Sequence, residues 1–346
     1  HGGEAKARDF YESEMTKVFE ECGRVISDDG IIVVVFAHKT TAAWETLLTS
    51  LLRAGLVVTA SWPIDTEMGA RTGAQGAASL ASSVFIVCRK RSAHDDGFLD
   101  DVEPALTERL YERLDYFWSQ GIRGADFFMS AIGPAVEVFG KYKRVLKLTG
   151  EDVTIAELLD KVRAIVADYA LQRIVHGERA GDVDEASRFY VIWRWAFGTA
   201  DVESGEAIHM AQSMGCEFTE LASDKGVLEK KKDKVSLRGP ADRACVKGLG
   251  LPTATGVHAP LVDVLHEAAN LWAAGKRQDL ANFLAEALPP GGADRLQRLA
   301  QSIDDVLVPG DKERALYENF LVGSRSLPTP TKKDLSVATQ QKLELS

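Results

Sequence analysis

The sequence has 346 residues, of which 45% are hydrophobic and 27% are charged, and its formal net charge is −10 at pH 7. A chain of this length can form more than one domain, and no apolar run approaches the ~20 residues that a membrane-spanning helix needs. An evenly spread negative charge repels nucleic acid, so any binding of nucleic acid requires a local basic surface. The 4 cysteines include no Cys-x-x-Cys pair, which favours reduced thiols and gives no zinc or other metal site. We therefore expect a cytoplasmic protein without a membrane partner.

The N-terminal part of the chain predicts a small α/β unit. Apolar residues recur at spacings of three to five over 5–27, as in a helix with one buried face. Ile31 to Ala37 is an unbroken apolar run rich in β-branched residues, typical of a central parallel strand that is buried on both faces. A helix over 41–54 and a strand over 56–63 follow. No helix of ordinary length precedes the next strand, over 82–89, so we expect that strand to be antiparallel.

Polar residues directly follow the first predicted strand. His38, Lys39, Thr40 and Thr41 lie between this strand and the next helix. Ligands of open α/β sheets bind at the carboxyl ends of strands, beside helix N-termini, so this segment is a candidate binding site. The alternative is purely structural, with Thr40 or Thr41 capping the helix while His38 and Lys39 are solvated.

Three segments carry a resemblance to a known family: residues 1–91, GIRGADFFMSAIGPAVEVFGKY over 121–142, and SRFYVIWRWAFG over 187–198. They resemble the C-terminal part of adenine-specific DNA methyltransferases of the zinc-ribbon-bearing kind. The resemblance covers most of residues 1–200 and, more weakly, the remainder. It implies an α/β fold that is the C-terminal half of a class I, Rossmann-like methyltransferase sheet. In that fold the closing elements are a strand, a helix and an antiparallel strand pair.

Several motifs of this family lie earlier in its chains and are absent from this sequence. The sequence has no Gly-rich cofactor loop after a buried strand, no Asn/Asp-Pro-Pro-aromatic motif and no zinc ribbon. Its only Pro-Pro pair, Pro289-Pro290, is followed by glycine, and Gly73 to Gly76 follows no buried strand. The resemblance therefore implies a fragment that is inactive alone, with no catalytic residue of its own. The S-adenosylmethionine site would lie mostly upstream, and the partners would be double-stranded DNA and the missing N-terminal half of the same protein.

The resemblance also implies roles for residues at the strand ends. Methyltransferases that act on a base extract it from the duplex, so His38, Lys39 and Thr40 are candidates for lining the pocket of the flipped adenine. Trp62, beside Pro63 at a strand end, is a candidate for stacking on that base. Trp44, Trp193 and Trp195 fall inside apolar patterns and are expected in the core.

The connection over 65–79 is a second candidate region. Its glycines allow the backbone to approach a phosphate closely, and Arg71 and Gln75 are candidates for contact with a DNA phosphate or the cofactor. The alternative is a mobile surface loop. Long connections without secondary structure are uncommon unless they are functional or disordered, so both readings stay open.

A charged hairpin is predicted further along the chain. Two helical segments are followed by two short strands around a Glu-Lys-Lys-Lys-Asp tip, the order of a helix-turn-helix with a β wing. Lys230, Lys231, Lys232 and Lys234 would project from this wing and bind DNA phosphates. The alternative is a solvated tip without a ligand.

The predicted regions are the C-terminal half of a methyltransferase catalytic domain (1–92), a helical cap (98–200), a possible helix-turn-helix with wing (201–250), a helical bundle (251–323) and a disordered tail (324–346). The function that the resemblance implies is DNA adenine-N6 methylation in restriction-modification or defence. The alternative is a non-enzymatic nucleic-acid-binding or scaffold protein on a degenerate half-sheet.

Overall fold

The structure is a computed structural model that describes residues 2–38, 40–65, 82–92, 95–175, 183–253, 256–308 and 310–331. The chain divides into two compact units, which are described separately. The first comprises His1–Arg173, Ile192–Leu221 and Leu228–Leu237, and the second comprises Ile174–Val191, Ala222–Val227 and Arg238–Ser346.

The first unit contains a three-stranded sheet near the N-terminus. Its strands are β1 (Ile32–Phe36), β2 (Leu56–Asp65) and β3 (Ser82–Lys90), in the spatial order β1-β3-β2. β3 is antiparallel to both neighbours, which confirms the predicted direction of that strand. β1 and β2 therefore run in the same direction, and α2 (Thr41–Arg53) connects them, while α1 (Gly2–Val25) packs on α2.

One face of this sheet packs against α2. Strand side chains alternate between the two faces, and the even-numbered residues of β1 share a face with Val84, Ile86 and Cys88 of β3, all of which are buried. On the same face Phe36 makes an edge contact with Trp44 of α2, with ring centroids 5.0 Å apart. The apolar face of α2 and this face of the sheet thus form the core of the α/β part.

β1 differs from the predicted central strand because it lies at the edge of the sheet. Among the described residues β1 pairs with β3 alone, and Val33 and Val35 are 49% and 56% exposed. Val35 pairs with Phe85, which pairs in turn with Trp62, so these three residues form a row on the sheet's second face. The prediction that β1 is buried on both faces is wrong for this chain, because the described residues cover only the face that packs on α2.

Helix α4 (Gly124–Phe139) follows α3 (Leu99–Ser119) and packs against β2. Nearly every residue from Phe127 to Phe139 is buried, as expected for a helix that is apolar on all sides. A Cβ atom at Gly133 would lie 1.7 Å from Ser61 Oγ, so this position of α4 must lack a side chain. Glycine here allows the helix to approach β2 closely.

The remaining elements include the short strands β4 and β6, which the sequence did not predict. Their bounds are β4 (Gly97–Phe98), β5 (Val145–Leu146), α5 (Ile155–Ile174), α6 (Glu185–Phe197), β6 (Val202–Glu203), α7 (Ser204–Ser213), α8 (Phe218–Leu221), β7 (Leu228–Lys231), β8 (Lys234–Leu237), α9 (Leu261–Ala273), α10 (Arg277–Ala287), α11 (Gly292–Val306) and α12 (Lys312–Gly323).

The second unit corrects two expectations. The helical bundle was predicted over 251–323, whereas its first helix, α9, begins at Leu261, directly after Pro260. Proline has no N–H to donate and fixes φ, so it is favoured at a helix start. The predicted disordered tail does not include residues 324–331, since Ser324–Ser326 form a 3-10 turn and the Thr331 N–H donates to Asn282 Oδ1 at 2.8 Å.

Candidate functional site

The N-terminus of α2 lies at the carboxyl end of β1, as the sequence predicts, and it binds a carboxylate from a distant part of the chain. The backbone N–H of Thr41 donates to Glu206 Oε2 at 3.1 Å, and the Thr41 hydroxyl donates to the same oxygen at 2.9 Å. A helix N-terminus presents free N–H groups and a partial positive charge, which stabilise an anion. The protein's own side chain therefore occupies this anion site.

An arginine from α5 holds the same carboxylate from the other side. Arg163 Nη2 donates to Glu206 Oε1 at 2.9 Å and also to the Thr41 hydroxyl. The side chains of Arg163 and Glu206 are only 7% and 9% exposed. Burial of either charge alone would be costly, so the pair stabilises the fold only when both charges and their hydrogen bonds are present.

The network extends from Arg163 towards the surface. Arg163 Nη1 donates to Asp160 Oδ1 at 2.9 Å, and the same oxygen lies 3.1 Å from His209 Nδ1. We call Thr41, Asp160, Arg163, Glu206 and His209 the Thr41 cluster. It joins α2, α5 and α7, three elements that are far apart in the sequence.

Two cavities border the Thr41 cluster. The first, the smaller of the two, is lined mainly by apolar side chains such as Phe128, Ile132 and Met210. The second is a crevice of about 170 Å³ that is lined by Thr40, Glu45 and several residues of the cluster. The cluster therefore borders an apolar cavity on one side and a more polar crevice beside the strand end on the other.

His38 and Thr40 lie next to this crevice and contact each other. The Thr40 N–H donates to His38 Nδ1 at 3.1 Å, and the Trp44 indole donates to the His38 carbonyl at 2.9 Å. The His38 ring is exposed, and one of its nitrogens is already bonded within the local turn. Thr40 precedes α2 but its side chain makes no capping hydrogen bond, so the predicted threonine cap is replaced by Glu206. Lys39 lies outside the described residues.

Trp62 is half exposed on the second face of the sheet, beside Phe85 and Val35. This position leaves the indole face open to a flat ligand, and the stacking role of Trp62 stays a prediction. Arg71 and Gln75 of the long connection lie outside the described residues.

The lysine hairpin, residues 228–237, consists of β7 and β8 joined by a tight turn in which Lys232 has a φ of 55°. Two of its four lysines contact other groups of the chain. The Lys230 ammonium lies 5.0 Å from the centre of the Phe218 ring, and Lys231 Nζ lies 3.3 Å from Asp201 Oδ1. All four lysines are exposed, but Lys230 and Lys231 already contact other groups, so Lys232 and Lys234 are the better placed pair for a ligand.

A short segment joins the lysine hairpin to the Thr41 cluster. β6 pairs with β8, and the Ser204 N–H that follows β6 donates to the Asp233 carbonyl in the hairpin turn at 2.9 Å. Glu206 lies two residues further, in the first turn of α7. The structure thus connects the strand end and the hairpin, which are distant in the sequence, through β6 and the first turn of α7.

Sequence reasoning missed Arg163 and Glu206. Arg163 had one usable signal, because it lies on the buried side of a helix among Leu159, Val162 and Val166, where an unpaired charge is unfavourable. Glu206 had none, since an acidic residue in the first turn of a helix is ordinary.

Comparison with known proteins identifies no relative of this chain. No protein-family model matches the chain, and the searches of curated proteins and of solved structures return no significant match. Within the part of the chain that the structure describes, no helix is long and apolar enough to cross a membrane. The same part contains no group of three or more side chains suited to holding a metal ion.

The α2 N-terminus would suit an anionic group of a ligand, but it already binds the carboxylate of Glu206. At this strand end the described residues therefore leave the helix N-terminus occupied by the protein itself.

Proposed function

We propose that this chain is the C-terminal part of an S-adenosylmethionine-dependent DNA adenine-N6 methyltransferase of a restriction-modification or defence system. The observation that best supports the proposal is the sheet. β1, α2 and the antiparallel pair of β2 and β3 occur in the order that the family resemblance implies for the end of a class I methyltransferase sheet. The Rossmann-like identity of that sheet is part of the proposal.

The edge of β1, which no described residue covers, supports a partner that extends the sheet. Natural proteins protect an exposed edge strand with charged residues, proline or bulges, whereas β1 has the sequence IVVVF and is regularly paired on its other side. Exposed large apolar side chains also occur on α1 and on the second face of the sheet: Phe10, Tyr11, Val18, Val25, Ile31, Val33, Val35, Trp62 and Ile64. Such a surface is typical of an interface. We infer that its partner is the N-terminal half of the same protein.

Two regions support contact with double-stranded DNA. The exposed Lys232 and Lys234 of the lysine hairpin suit phosphate groups, which give affinity that falls with salt concentration. In the proposed enzyme His38, Lys39 and Thr40 lie by the flipped base. S-adenosylmethionine would supply the methyl group, and because the resemblance puts most of the cofactor site upstream of this chain, we expect no methyl transfer by this chain alone.

The test uses the product of the complete gene that encodes this chain. The purified product and the present chain are each incubated with tritium-labelled S-adenosylmethionine and duplex DNA. Label on adenine N6 with the complete product, and none with the present chain, is the expected result. A complete product that binds duplex DNA but neither binds the cofactor nor transfers label would contradict the proposal. It would favour the non-enzymatic nucleic-acid-binding or scaffold protein.

A further inference from the structure

We propose that Glu206 is a positioning residue that couples the lysine hairpin to the strand-end residues His38, Thr40 and Thr41. DNA phosphates on the lysines would then lie at a defined place relative to the strand end. This inference rests on the proposed function, because it requires that the lysine hairpin contacts DNA. It assigns a role to a residue that the family resemblance does not mark.

The path from the hairpin to Glu206 is short and hydrogen-bonded. Glu203 of β6 pairs with Lys234 of β8, and the next residue, Ser204, donates to the Asp233 carbonyl of the hairpin turn at 2.9 Å. Glu206 follows within the first turn of α7. A movement of the hairpin therefore displaces the backbone that carries Glu206, because no flexible linker separates them.

The path from Glu206 to the strand end is equally direct. Its carboxylate holds the backbone and hydroxyl of Thr41, and Arg163 keeps the carboxylate in place from α5. Trp44, one turn into α2, holds the His38 carbonyl at 2.9 Å, so the position of α2 determines the position of His38. Hydrogen bonds between buried charged groups are strong and directional, which makes this connection stiff.

The experiment measures amide hydrogen exchange of the full chain, with and without a short duplex DNA, in segments 36–46 and 228–237. The variants are Glu206→Gln and its control Glu108→Gln, which makes the same charge change at an exposed position of α3 outside the path. A second, milder pair is Thr41→Val, which removes the hydroxyl bound to Glu206, and Thr41→Ser, which keeps it. The salt dependence of DNA binding is measured in parallel.

The proposal predicts that DNA slows exchange in both segments of the wild type and of Glu108→Gln. In Glu206→Gln the protection of 228–237 and the salt dependence persist, while 36–46 exchanges about tenfold faster and gains no protection from DNA, as expected for loss of hydrogen bonds to a charged group. In Thr41→Val segment 36–46 exchanges faster than in the wild type, but by less than in Glu206→Gln. Thr41→Ser keeps the hydroxyl and shows wild-type protection.

Two results would overturn the inference, and they differ. Equal protection of 36–46 in the wild type and Glu206→Gln, or loss of protection in both segments together, means that Glu206 does not position the strand end. Absence of protection at 228–237 in the wild type means that the hairpin does not contact DNA, so the proposed function loses its DNA-binding surface and the coupling is rejected with it.

Discussion

Glu206 binds the first residue of α2, Thr41, across 165 positions of sequence, with Oε2 3.1 Å from the Thr41 backbone nitrogen. Many helices begin at a residue whose own side chain accepts these N–H groups. Here the cap comes from another helix and is itself paired with a buried arginine. The cap therefore serves as a tertiary contact between the sheet and the helices that follow it.

Removing one charge of this pair should destabilise the fold. We expect Glu206→Ala to lower the free energy of unfolding by about 3 to 5 kcal/mol, because Arg163 then stays buried without its partner. Urea denaturation of the chain measures the change. The double variant Arg163→Met/Glu206→Leu should be more stable than Glu206→Ala, since no uncompensated charge remains; a double variant that is less stable would contradict this account. Glu203→Ala, at an exposed position, is the control.

Close packing at Gly133 predicts a steric effect. Gly133→Ala places a Cβ 1.7 Å from Ser61 Oγ, so the helix or the strand has to shift, at a cost of about 1 to 3 kcal/mol in unfolding free energy. Ser61→Gly should relieve part of that loss in the double variant. Gly205→Ala is the matched control, because among the described residues no atom lies within 4 Å of its Cβ position. Thermal denaturation compares the variants, and equal losses at Gly133 and Gly205 would refute the packing argument.

The buried thiol of Cys88 should be inert. Burial raises the pKa of Cys88 to about 12, whereas Cys245 is exposed. At pH 8.5 we expect iodoacetamide to modify Cys245 and to modify Cys88 only after unfolding, as detected by mass spectrometry. The charged thiolate is disfavoured in the folded state, so its effect on stability is absent below the unfolded pKa of 9.0. Above that pH the free energy of unfolding falls as pH rises, and Cys88→Ala should reduce this fall.

The hairpin lysines should differ in their contribution to DNA binding. All four lysines are exposed, but Lys230 and Lys231 already contact Phe218 and Asp201. Lys232→Gln/Lys234→Gln should therefore reduce the slope of log affinity against log salt concentration by about 1.8, two phosphate contacts at about 0.9 each.

The matched hairpin control is Lys230→Gln/Lys231→Gln, which removes the same charge from the neighbouring lysines. It should change the slope less. Fluorescence anisotropy with labelled duplex DNA measures the affinity of both variants. Equal slopes of log affinity against log salt concentration for the two would show that Lys232 and Lys234 have no special role.

The open edge of β1 should make the isolated chain self-associate. A lysine at an edge strand opposes further pairing, so Val33→Lys should lower the fraction of oligomer in sedimentation velocity. Val322→Lys, at a position that is 79% exposed on α12, is the control for added charge. In the complete gene product Val33→Lys should also weaken the contact with the N-terminal half. An unchanged oligomer fraction in Val33→Lys would mean that this edge is not the site of association.

The sequence by itself determined most elements of secondary structure. The 3.6-residue and two-residue periods of apolar residues located the helices and strands of the α/β part, and the lack of a helical crossover predicted the antiparallel β3. These features follow from contacts between residues that are near each other along the chain. The start of α9 at Leu261 also has a local cause, because Pro260 lies directly before it.

Only the tertiary structure decided which groups share a site. The apolar run of β1 predicts burial on both faces, yet exposure depends on which elements cover the strand. Glu206 and Arg163 reach Thr41 across 165 and 122 positions, so their pairing depends on how α2, α5 and α7 pack and leaves no pattern in any short segment. The local period of apolar residues predicts single helices and strands. The pairing of buried charges depends on how those elements pack in the assembled core.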